Sequence, residues 1–164
     1  MNLQNIGVIG AGTMGNGIAQ ICAVAGINVT LLDISAGALE KALATVGKNL
    51  DRQVSKGILS EPQKHTALGK IRTSTDYASL ANAQWVIEAA TENLELKRRV
   101  LQQIAAHVDE QCVIASNTSS LSITELAAGV NAPERFIGLH FFNPVPVMGL
   151  IEVIRGLQTS DTTH

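Results

Sequence analysis

The sequence predicts an α/β fold in which a mostly parallel sheet is covered by helices on both faces. Short apolar runs alternate along the chain with longer segments of helical periodicity. The apolar runs are continuous, as is typical of strands that are buried on both faces of a sheet. The chain has 164 residues, of which 46% are hydrophobic and 16% charged, so it suits one globular domain with a core of good size.

The first half of the chain is expected to contain three strands, one connecting helix and a helical pair. In chain order these are the strand Ile6–Gly10, the helix Gly15–Ala25, the strand Asn28–Asp33, two helices within Ala36–Leu68, and the strand Ile71–Asp76. Gly26 is placed to end the first helix, as a C-terminal glycine does. The helical pair is broken near KGILSEP, where Ser60 is a candidate N-cap before Pro62. The pair forms an insertion after the second strand.

The second half is expected to continue the alternation. In chain order it holds the strand Trp85–Ala90, the helix Glu95–His107, the strand Cys112–Asn117, the short helix Ile123–Ala128, and the strands Arg135–Phe141 and Leu150–Ile154. Ser122 is a candidate N-cap for the short helix. The polar tail RGLQTSDTTH contains no helical pattern and resembles a linker that is cut short.

Composition argues against several classes of function. The net charge is −2 and the longest basic run is KRR at Lys97–Arg99, which is expected to form the solvated face of a helix, so nucleic-acid binding has little electrostatic support. Cys22 and Cys112 share no metal-ligand spacing and are expected to be buried free thiols in a reducing compartment. No metal site, signal peptide or membrane span is expected, and the default location is the cytoplasm.

A glycine-rich turn, GAGTMG at residues 10–15, lies between the first strand and the first helix. Gly10 permits a tight turn, Gly12 lets a pyrophosphate approach the backbone, and Gly15 lets the helix pack on the strand. The N–H groups at the start of the helix then face the anion. Thr13 and Met14 complete the motif and belong to the same candidate site. The alternative is that the glycines serve only a tight turn.

Asp33 ends the second strand, about 20 residues after the glycines, where dinucleotide-binding folds carry an acid. A carboxylate there can hydrogen-bond both hydroxyls of an adenosine ribose. It would repel a 2′-phosphate, and no arginine follows it closely, so the sequence favours NAD over NADP. The alternative is that Asp33 caps the next helix.

Polar residues that follow two later strands form a second candidate site. The run SNTSS, Ser116–Ser120, follows the buried strand CVIA, and His140 stands where the next strand ends. Because the carboxyl ends of parallel strands line the ligand crevice, these side chains are expected at its mouth. Taken alone, the run is more typical of an N-cap cluster, and a lone histidine is more often a hydrogen-bonded core residue.

Glu152 lies inside the apolar strand LIEVI. An isolated, ionised carboxylate is costly in such surroundings, unless the strand points it outward to solvent. It can instead pair with His140 across the loop Phe142–Gly149, and an imidazole that is oriented by a carboxylate is the usual arrangement of a general base. The pattern alone leaves both arrangements open. If the pair forms, the apolar surroundings would exclude water and strengthen it.

Five stretches together resemble the N-terminal domain of the 3-hydroxyacyl-CoA dehydrogenases. They are IGVIGAGTMGNGIA, VIEAATENLELK, IASNTSSLSIT, ERFIGLHFFNPVPVM and LIEVI, in the order and spacing of the family. The combination of SNTSS with GLHFFNP is far more specific than the glycine turn. The resemblance implies a Rossmann-type doubly wound fold, and oxidation of a (3S)-3-hydroxyacyl-CoA to the 3-ketoacyl-CoA with NAD as the cofactor.

The resemblance also implies catalytic roles for three residues. His140, in GLHFFNP, would remove the proton from the 3-hydroxyl of the substrate. Glu152, in the LxEV strand, would hold and balance the imidazolium. Ser119, the first serine of the pair that ends SNTSS, would hydrogen-bond the reacting oxygen.

The same resemblance implies the remaining ligand contacts. Asn117 and Asn143 would border the nicotinamide and the substrate, while Glu92 and Lys97 match positions that contact the cofactor. The helical pair within Ala36–Leu68 would help to hold coenzyme A, so an acyl-CoA is the implied substrate.

The family has a further all-helical C-terminal domain, which this chain lacks. In the family it closes the acyl side of the cleft, supplies another asparagine to the catalytic site and forms most of the dimer interface. Residues 1–155 are therefore expected to be the NAD-binding domain, and residues 156–164 a truncated linker to the missing domain. Two other functions are weighed: a different NAD-dependent 3-hydroxy acid or sugar dehydrogenase, which would not need SNTSS with HFFNP, and a non-catalytic NAD-binding module.

Overall fold

The computed structural model describes residues 2–164, which contain seven strands and five α-helices. In chain order these are β1 (Asn5–Ile9), α1 (Thr13–Val24), β2 (Asn28–Leu32), α2 (Ala36–Ser55), α3 (Glu61–Lys70), β3 (Ile71–Ser74), β4 (Trp85–Glu88), α4 (Leu94–His107), β5 (Val113–Ser116), α5 (Ile123–Ala127), β6 (Phe136–Phe141) and β7 (Ile151–Ile154). Each expected element is present, with bounds that differ by one or two residues. The sequence did not predict two short 3-10 helices, Tyr77–Leu80 and Pro133–Arg135.

All seven strands of this region form one sheet, in the order β3-β2-β1-β4-β5-β6-β7. Strands β1 to β6 are parallel, and β7 pairs antiparallel with β6. The strand order reverses at β1. Strands β2 and β3 are added on one side of β1, and the chain then crosses to the other side, where β4 pairs with β1. This is the arrangement of two mononucleotide-binding halves, so the predicted doubly wound fold is confirmed.

Helices cover both faces of the sheet and divide the core into two layers. Helices α1, α2 and α3 pack on one face, where Ile18, Leu39 and Leu50 join the apolar side chains of β1 and β2. Helices α4 and α5 pack on the other face through Leu101 and Leu126. The strands between them are buried on both sides, which explains their continuous apolar runs.

The helical pair α2 and α3 is the predicted insertion between β2 and β3. Ser60 begins α3 through a capping box: its hydroxyl accepts from the N–H of Gln63 at 3.2 Å, and the Gln63 side chain accepts from the N–H of Ser60 at 2.8 Å. The amide of Asn49 donates to the buried Gln20 of α1 at 3.1 Å. The pair is therefore bonded to α1 as well as packed against it.

Two expectations about exposure are wrong. Lys97 does not belong to a solvated basic face, because its side chain is 0% exposed, and of the KRR run only Arg99 is exposed rather than buried or half-buried. Cys22 is half-buried rather than buried, although Cys112 is buried and both thiols are free. Burial raises the pKa of Cys22 to about 11 and that of Cys112 to about 12. Among the described helices, none combines the length and apolar composition needed to cross a membrane.

The polar tail folds back on the start of β6. Thr159 donates its hydroxyl to the carbonyl of Phe136 at 2.7 Å, and Thr163 donates to the carbonyl of Glu134 at 2.9 Å. Both threonines are buried. The tail is thus ordered by hydrogen bonds to the domain, and its expected role as a linker stays a prediction.

The turn from β1 into α1 brings two glycines into close contact. Gly10 has φ +99°, a conformation that side chains rarely adopt, and a Cβ at Gly15 would stand 1.6 Å from the carbonyl oxygen of Gly10. No side chain fits that space unless the turn moves. These two glycines therefore set how closely α1 approaches the end of the central strand.

We expect Gly15→Ala to destabilise the domain by about 2 kcal/mol or more, because the added methyl group overlaps the backbone of Gly10. Gly47→Ala is the matched control. Outside its own helix backbone, no atom of residues 2–164 lies within 4 Å of a Cβ at Gly47, so this change should stabilise α2 by about 0.5–1 kcal/mol. Urea denaturation measures both. A Gly15→Ala variant as stable as the wild type would contradict the close contact.

Candidate active site

The candidate site lies along the carboxyl edge of the parallel strands. The glycine turn follows β1, Asp33 follows β2, the run Ser116–Ser120 starts at the end of β5, and Asn143 follows β6. Since β1 and β4 are neighbours and the chain leaves them toward opposite faces, a crevice opens between them. Both predicted constellations border this crevice.

The glycine turn leaves the start of α1 open. Gly12 is the N-cap, and within residues 2–164 no side chain caps the helix. Gly12 is exposed, and no described atom lies within 4 Å of where its Cβ would stand. Thr13 is also exposed, at the first position of the helix. The first N–H groups of α1 can therefore meet an anion without displacing a side chain.

The carboxylate of Asp33 supports the glycine turn. One oxygen accepts from the N–H of Ala11 and the other from the N–H of Ser35, each at 2.9 Å. Ser35, and not Asp33, is the N-cap of α2, so the capping alternative for Asp33 is wrong. Each carboxylate oxygen has a further lone pair with which it can accept from a ribose hydroxyl.

Six predicted site residues converge on one cavity of about 220 Å³, here called the loop cavity. They are Met14, Glu92, Asn117, Ser119, His140 and Asn143. Phe141 and Phe142 complete its lining. The contributions come from the ends of β1, β4, β5 and β6, so distant parts of the sequence meet at a single point. This convergence is the geometry that the sequence predicted for the crevice mouth.

Glu92 and Asn117 hold the two sides of the loop cavity. The carboxylate of Glu92 accepts from the hydroxyl of Thr118 at 2.8 Å, and from the N–H of Ser119 at 3.3 Å. The side-chain oxygen of Asn117 accepts from the N–H of Phe141 at 2.9 Å. The run SNTSS is thus bonded both to the segment after β4 and to β6, and it does more than cap α5, whose N-cap is Ser122.

His140 and Glu152 form a pair across the antiparallel strands β6 and β7. They are directly opposite in register, and Nδ1 of His140 lies 2.8 Å from a carboxylate oxygen of Glu152. The pairing alternative is therefore the arrangement observed. Donation from Nδ1 to the carboxylate leaves Nε2 with its lone pair. The ring of Phe142 packs against the imidazole, with ring centroids 4.5 Å apart.

The surroundings of this pair are more open than the sequence suggested. The side chain of His140 is 20% exposed and that of Glu152 is 54% exposed. The expectation that apolar surroundings exclude water from this pair is wrong for this chain alone, because β7 is the edge strand of the sheet. Apolar side chains around it are also exposed, by between 44% and 77%: Val147, Met148, Leu150, Ile151 and Val153.

Lys97 lies beneath the site rather than at its surface. Its ammonium contacts the carboxylate of Glu88 at 2.5 Å and the hydroxyl of Ser116 at 3.2 Å. All three side chains are fully buried. In this arrangement the ammonium donates to two side-chain oxygens of the protein. The expected direct contact between Lys97 and a cofactor stays a prediction.

Sequence reasoning missed Glu88 and Phe142, and it placed Ser116 and Thr118 at the crevice mouth without predicting the partner of either side chain. A signal existed for Glu88, because it lies in the apolar run WVIEAA just as Glu152 lies in LIEVI. The argument that an isolated buried carboxylate needs a partner applies to both. The contact of Phe142 with His140 had no signal in the sequence beyond the two residues being two positions apart.

Known proteins of one family are similar to this chain in sequence. A family model described as 3-hydroxyacyl-CoA dehydrogenase, NAD binding domain, matches residues 5–164. A 3-hydroxybutyryl-CoA dehydrogenase of Bradyrhizobium diazoefficiens is 48% identical over 98% of this chain and 55% of its own length. A 3-hydroxyadipyl-CoA dehydrogenase of Escherichia coli is 46% identical over 98% of this chain and 34% of its own.

A solved structure is similar over almost the whole chain. The (S)-3-hydroxybutyryl-CoA dehydrogenase of Ralstonia eutropha is 58% identical and superposes with a TM-score of 0.98, over 99% of this chain and 58% of that protein. The chain therefore spans about half of the length of most of these relatives, and about a third of the longest.

We expect Asn117→Ala to destabilise the domain by about 1–3 kcal/mol, because the buried N–H of Phe141 loses its acceptor. Asn117→Asp retains an acceptor oxygen and should be less destabilised. Asn131→Ala, at an exposed loop position, is the control and should stay within about 0.5 kcal/mol of the wild type. Urea denaturation measures all three. Equal stability of the two alanine variants would show that the bond between Asn117 and β6 contributes nothing.

Proposed function

Because this chain belongs to the NAD-binding domain family of the 3-hydroxyacyl-CoA dehydrogenases, we propose that it is the cofactor-binding half of such an enzyme. The proposed reaction oxidises a (3S)-3-hydroxyacyl-CoA to the 3-ketoacyl-CoA, with NAD as the cofactor. The observation that carries the proposal is the 2.8 Å contact between His140 and Glu152 beside Ser119, at the carboxyl edge of a dinucleotide-binding sheet.

The adenosine end of the cofactor is assigned to the first half of the sheet. The open N-terminus of α1 and the turn at Gly10, Gly12 and Gly15 suit a pyrophosphate, with Thr13 and Met14 in the first turn of the helix. Asp33 suits the ribose hydroxyls, since its carboxylate already lies against the turn at Ala11. A negative charge at this position disfavours a 2′-phosphate.

His140 is assigned the role of general base. Its Nδ1 is engaged by Glu152, so Nε2 is the nitrogen that accepts the proton of the substrate hydroxyl. Glu152 then stabilises the imidazolium that forms. Ser119 lines the same cavities as His140 and is assigned to hydrogen-bond the reacting oxygen. The bound nicotinamide supplies the hydride chemistry, and the protein supplies orientation and the base.

The substrate and the rest of the enzyme belong to the same proposal. An acyl-CoA would enter beside β7, where an all-helical C-terminal domain would cover the exposed apolar side chains and close the acyl side of the site. The homodimer is assigned to that domain. Exclusion of water from the pair His140 and Glu152 would then come from the added domain. A cytoplasmic location is consistent with the two free cysteines.

We expect Asp33→Asn to weaken NADH binding about tenfold, as loss of one charged hydrogen bond would. It should weaken NADPH binding less, or strengthen it, because the repulsion of the 2′-phosphate is removed. Asp161→Asn removes the same charge from the exposed tail and should change neither affinity. Isothermal titration with both nucleotides measures this. An unchanged preference for NADH in Asp33→Asn would contradict the assignment.

Turnover is best tested in a chimera in which this chain replaces the corresponding 58% of the Ralstonia eutropha enzyme. We expect NADH oxidation that depends on acetoacetyl-CoA. His140→Asn should lower turnover by a factor of about 10²–10⁴ and leave the NADH affinity unchanged, because a general base acts on the chemical step.

His164→Asn, at an exposed position, is the control for this experiment and should keep full activity. A chimera that binds NADH but does not turn over would favour the non-catalytic NAD-binding module. A His140→Asn variant with nearly full activity would remove the general base from the proposal.

A further inference from the structure

We propose that a cavity at the amino edge of the sheet binds a compact phosphate monoester, at a site separate from that of the cofactor. This cavity, here called the amino-edge cavity, has a volume of about 310 Å³ and lies where β1, β2 and β3 begin. The five residues of β1 place about 13 Å of strand between it and the glycine turn. The inference therefore does not depend on the proposed dehydrogenase activity.

Polar side chains form the floor of the amino-edge cavity. Asn5 of β1 pairs in register with Asn28 of β2, and Thr30 of β2 pairs with Arg72 of β3. Because residues two apart on a strand share a face, as do in-register neighbours of a parallel pair, all four lie on one face of the sheet. On the opposite face the same strand starts carry apolar side chains that join the core beneath α1, α2 and α3, namely Ile6, Val29 and Ile71.

The rim of the cavity is built from short segments. The last two residues of α3, Gly69 and Lys70, form one side. The 3-10 helix Tyr77–Leu80 and the loop after it form the other, where Ser79 and Asn82 line the cavity. The floor and the rim therefore bring together five segments that are separate in the sequence.

Two cations line the amino-edge cavity without a counter-charge. Lys70 ends α3 and Arg72 lies in β3, and neither forms an ion pair within residues 2–164. Among the described residues that line the cavity, none is an aspartate or a glutamate. A concave surface that carries charge of one sign concentrates the opposite ion. The cavity is therefore suited to an anion.

The asparagines add neutral hydrogen-bond donors. The amide of Asn28 donates to the side-chain oxygen of Asn5 at 3.1 Å, so the amide N–H groups of Asn5 can donate to a ligand. Asn82 brings another amide to the exposed rim. Two cations and several neutral donors from different directions suit a group with three strong acceptor oxygens, which a phosphate monoester has.

Each cation has a simpler explanation when it is taken alone. A lysine in the last turn of a helix interacts favourably with the helix dipole, and a charged residue on an edge strand such as β3 hinders pairing with another chain. Neither explanation accounts for Asn5, Asn28 and Thr30 on a sheet face that continues into the buried side chains of Ile9 and Leu32. A polar ligand site accounts for the cations and the polar floor together.

The volume of the cavity favours a small ligand. Small-molecule sites commonly measure about 300–1,000 Å³, and the amino-edge cavity lies at the lower end of that range. A three-carbon phosphate ester therefore suits it better than a nucleotide does. We assign the phosphoryl group to the space between Lys70 and Arg72, and the carbon chain to the floor at Asn5 and Asn28.

The test is titration of glycerol 3-phosphate into the ¹⁵N-labelled 164-residue chain, followed through the chemical shifts of its amide groups. We expect saturable shifts, with a dissociation constant in the millimolar range, in the backbone amides of Gly69, Lys70 and Arg72 and the side-chain amide of Asn5. Binding at the start of α1 would shift the amides around Gly12 instead, so the two anion sites are read separately.

Three variants and a matched control test the assignment. Lys70→Met and Arg72→Met should each weaken binding about tenfold, as loss of one charged hydrogen bond would. Asn82→Asp puts a negative charge on the exposed rim and should weaken binding at least as much. Lys41→Met/Arg99→Met removes two exposed cations elsewhere and should leave the affinity unchanged. Because Asn82 is exposed, Asn82→Asp decides the question if another variant does not fold.

Three results would overturn the inference. Shifts that sodium chloride reproduces at the same ionic strength would show only charge screening. Equal affinity for glycerate, which carries a carboxylate in place of the phosphate ester, would show that the cavity does not select a phosphate. Wild-type affinity in Asn82→Asp would place the ligand outside the amino-edge cavity.

Discussion

The parallel pairing of β1 to β6 is the constraint on which the rest of the structure depends. Parallel strands end at the same edge of a sheet, so each crossover delivers its first residues to one side of the molecule. Residues as far apart as Met14 and His140 line the same cavity for this reason. Most groups in the candidate site belong to the segment that directly follows a strand or, as with His140, Glu88 and Ser116, to the end of a strand. Glu152 is the exception, because it lies on the antiparallel strand β7 opposite His140.

The two carboxylates in apolar strands illustrate how one kind of sequence signal leads to different structures. Glu88 ends a central strand that is buried on both faces, and its charge is met by Lys97 and Ser116. Glu152 lies on the edge strand β7, where it is 54% exposed while bonded to His140. An apolar run indicates a buried strand only when another layer covers it. Within residues 2–164, Ile151, Glu152 and Val153 of β7 stay exposed.

Much of the fold could be predicted because its signals are local. Glycines mark the turn into α1, Ser60 and Pro62 mark the start of α3, and continuous apolar runs mark the interior strands. The family resemblance supplied the roles of His140, Glu152 and Ser119. These signals need only a short window of sequence and a known pattern.

The remaining features depend on long-range packing. The burial of Lys97 could not be predicted from KRR, because a lysine on a helix enters the core only when a carboxylate from another strand meets it. The support of Ala11 by Asp33 and the hydrogen bonds from the tail to Glu134 likewise join segments that are remote in sequence. Such contacts follow from the packed structure and have no local signature.

The central claim is that the cofactor lies across the carboxyl edge, with its adenosine at Asp33 and its nicotinamide in the loop cavity. A crystal structure of this chain with NADH would test it most directly. The account predicts the pyrophosphate at the N-terminus of α1 and the nicotinamide ring between Asn117 and His140. A nicotinamide that turns away from His140, or a dinucleotide bound elsewhere, would contradict the account.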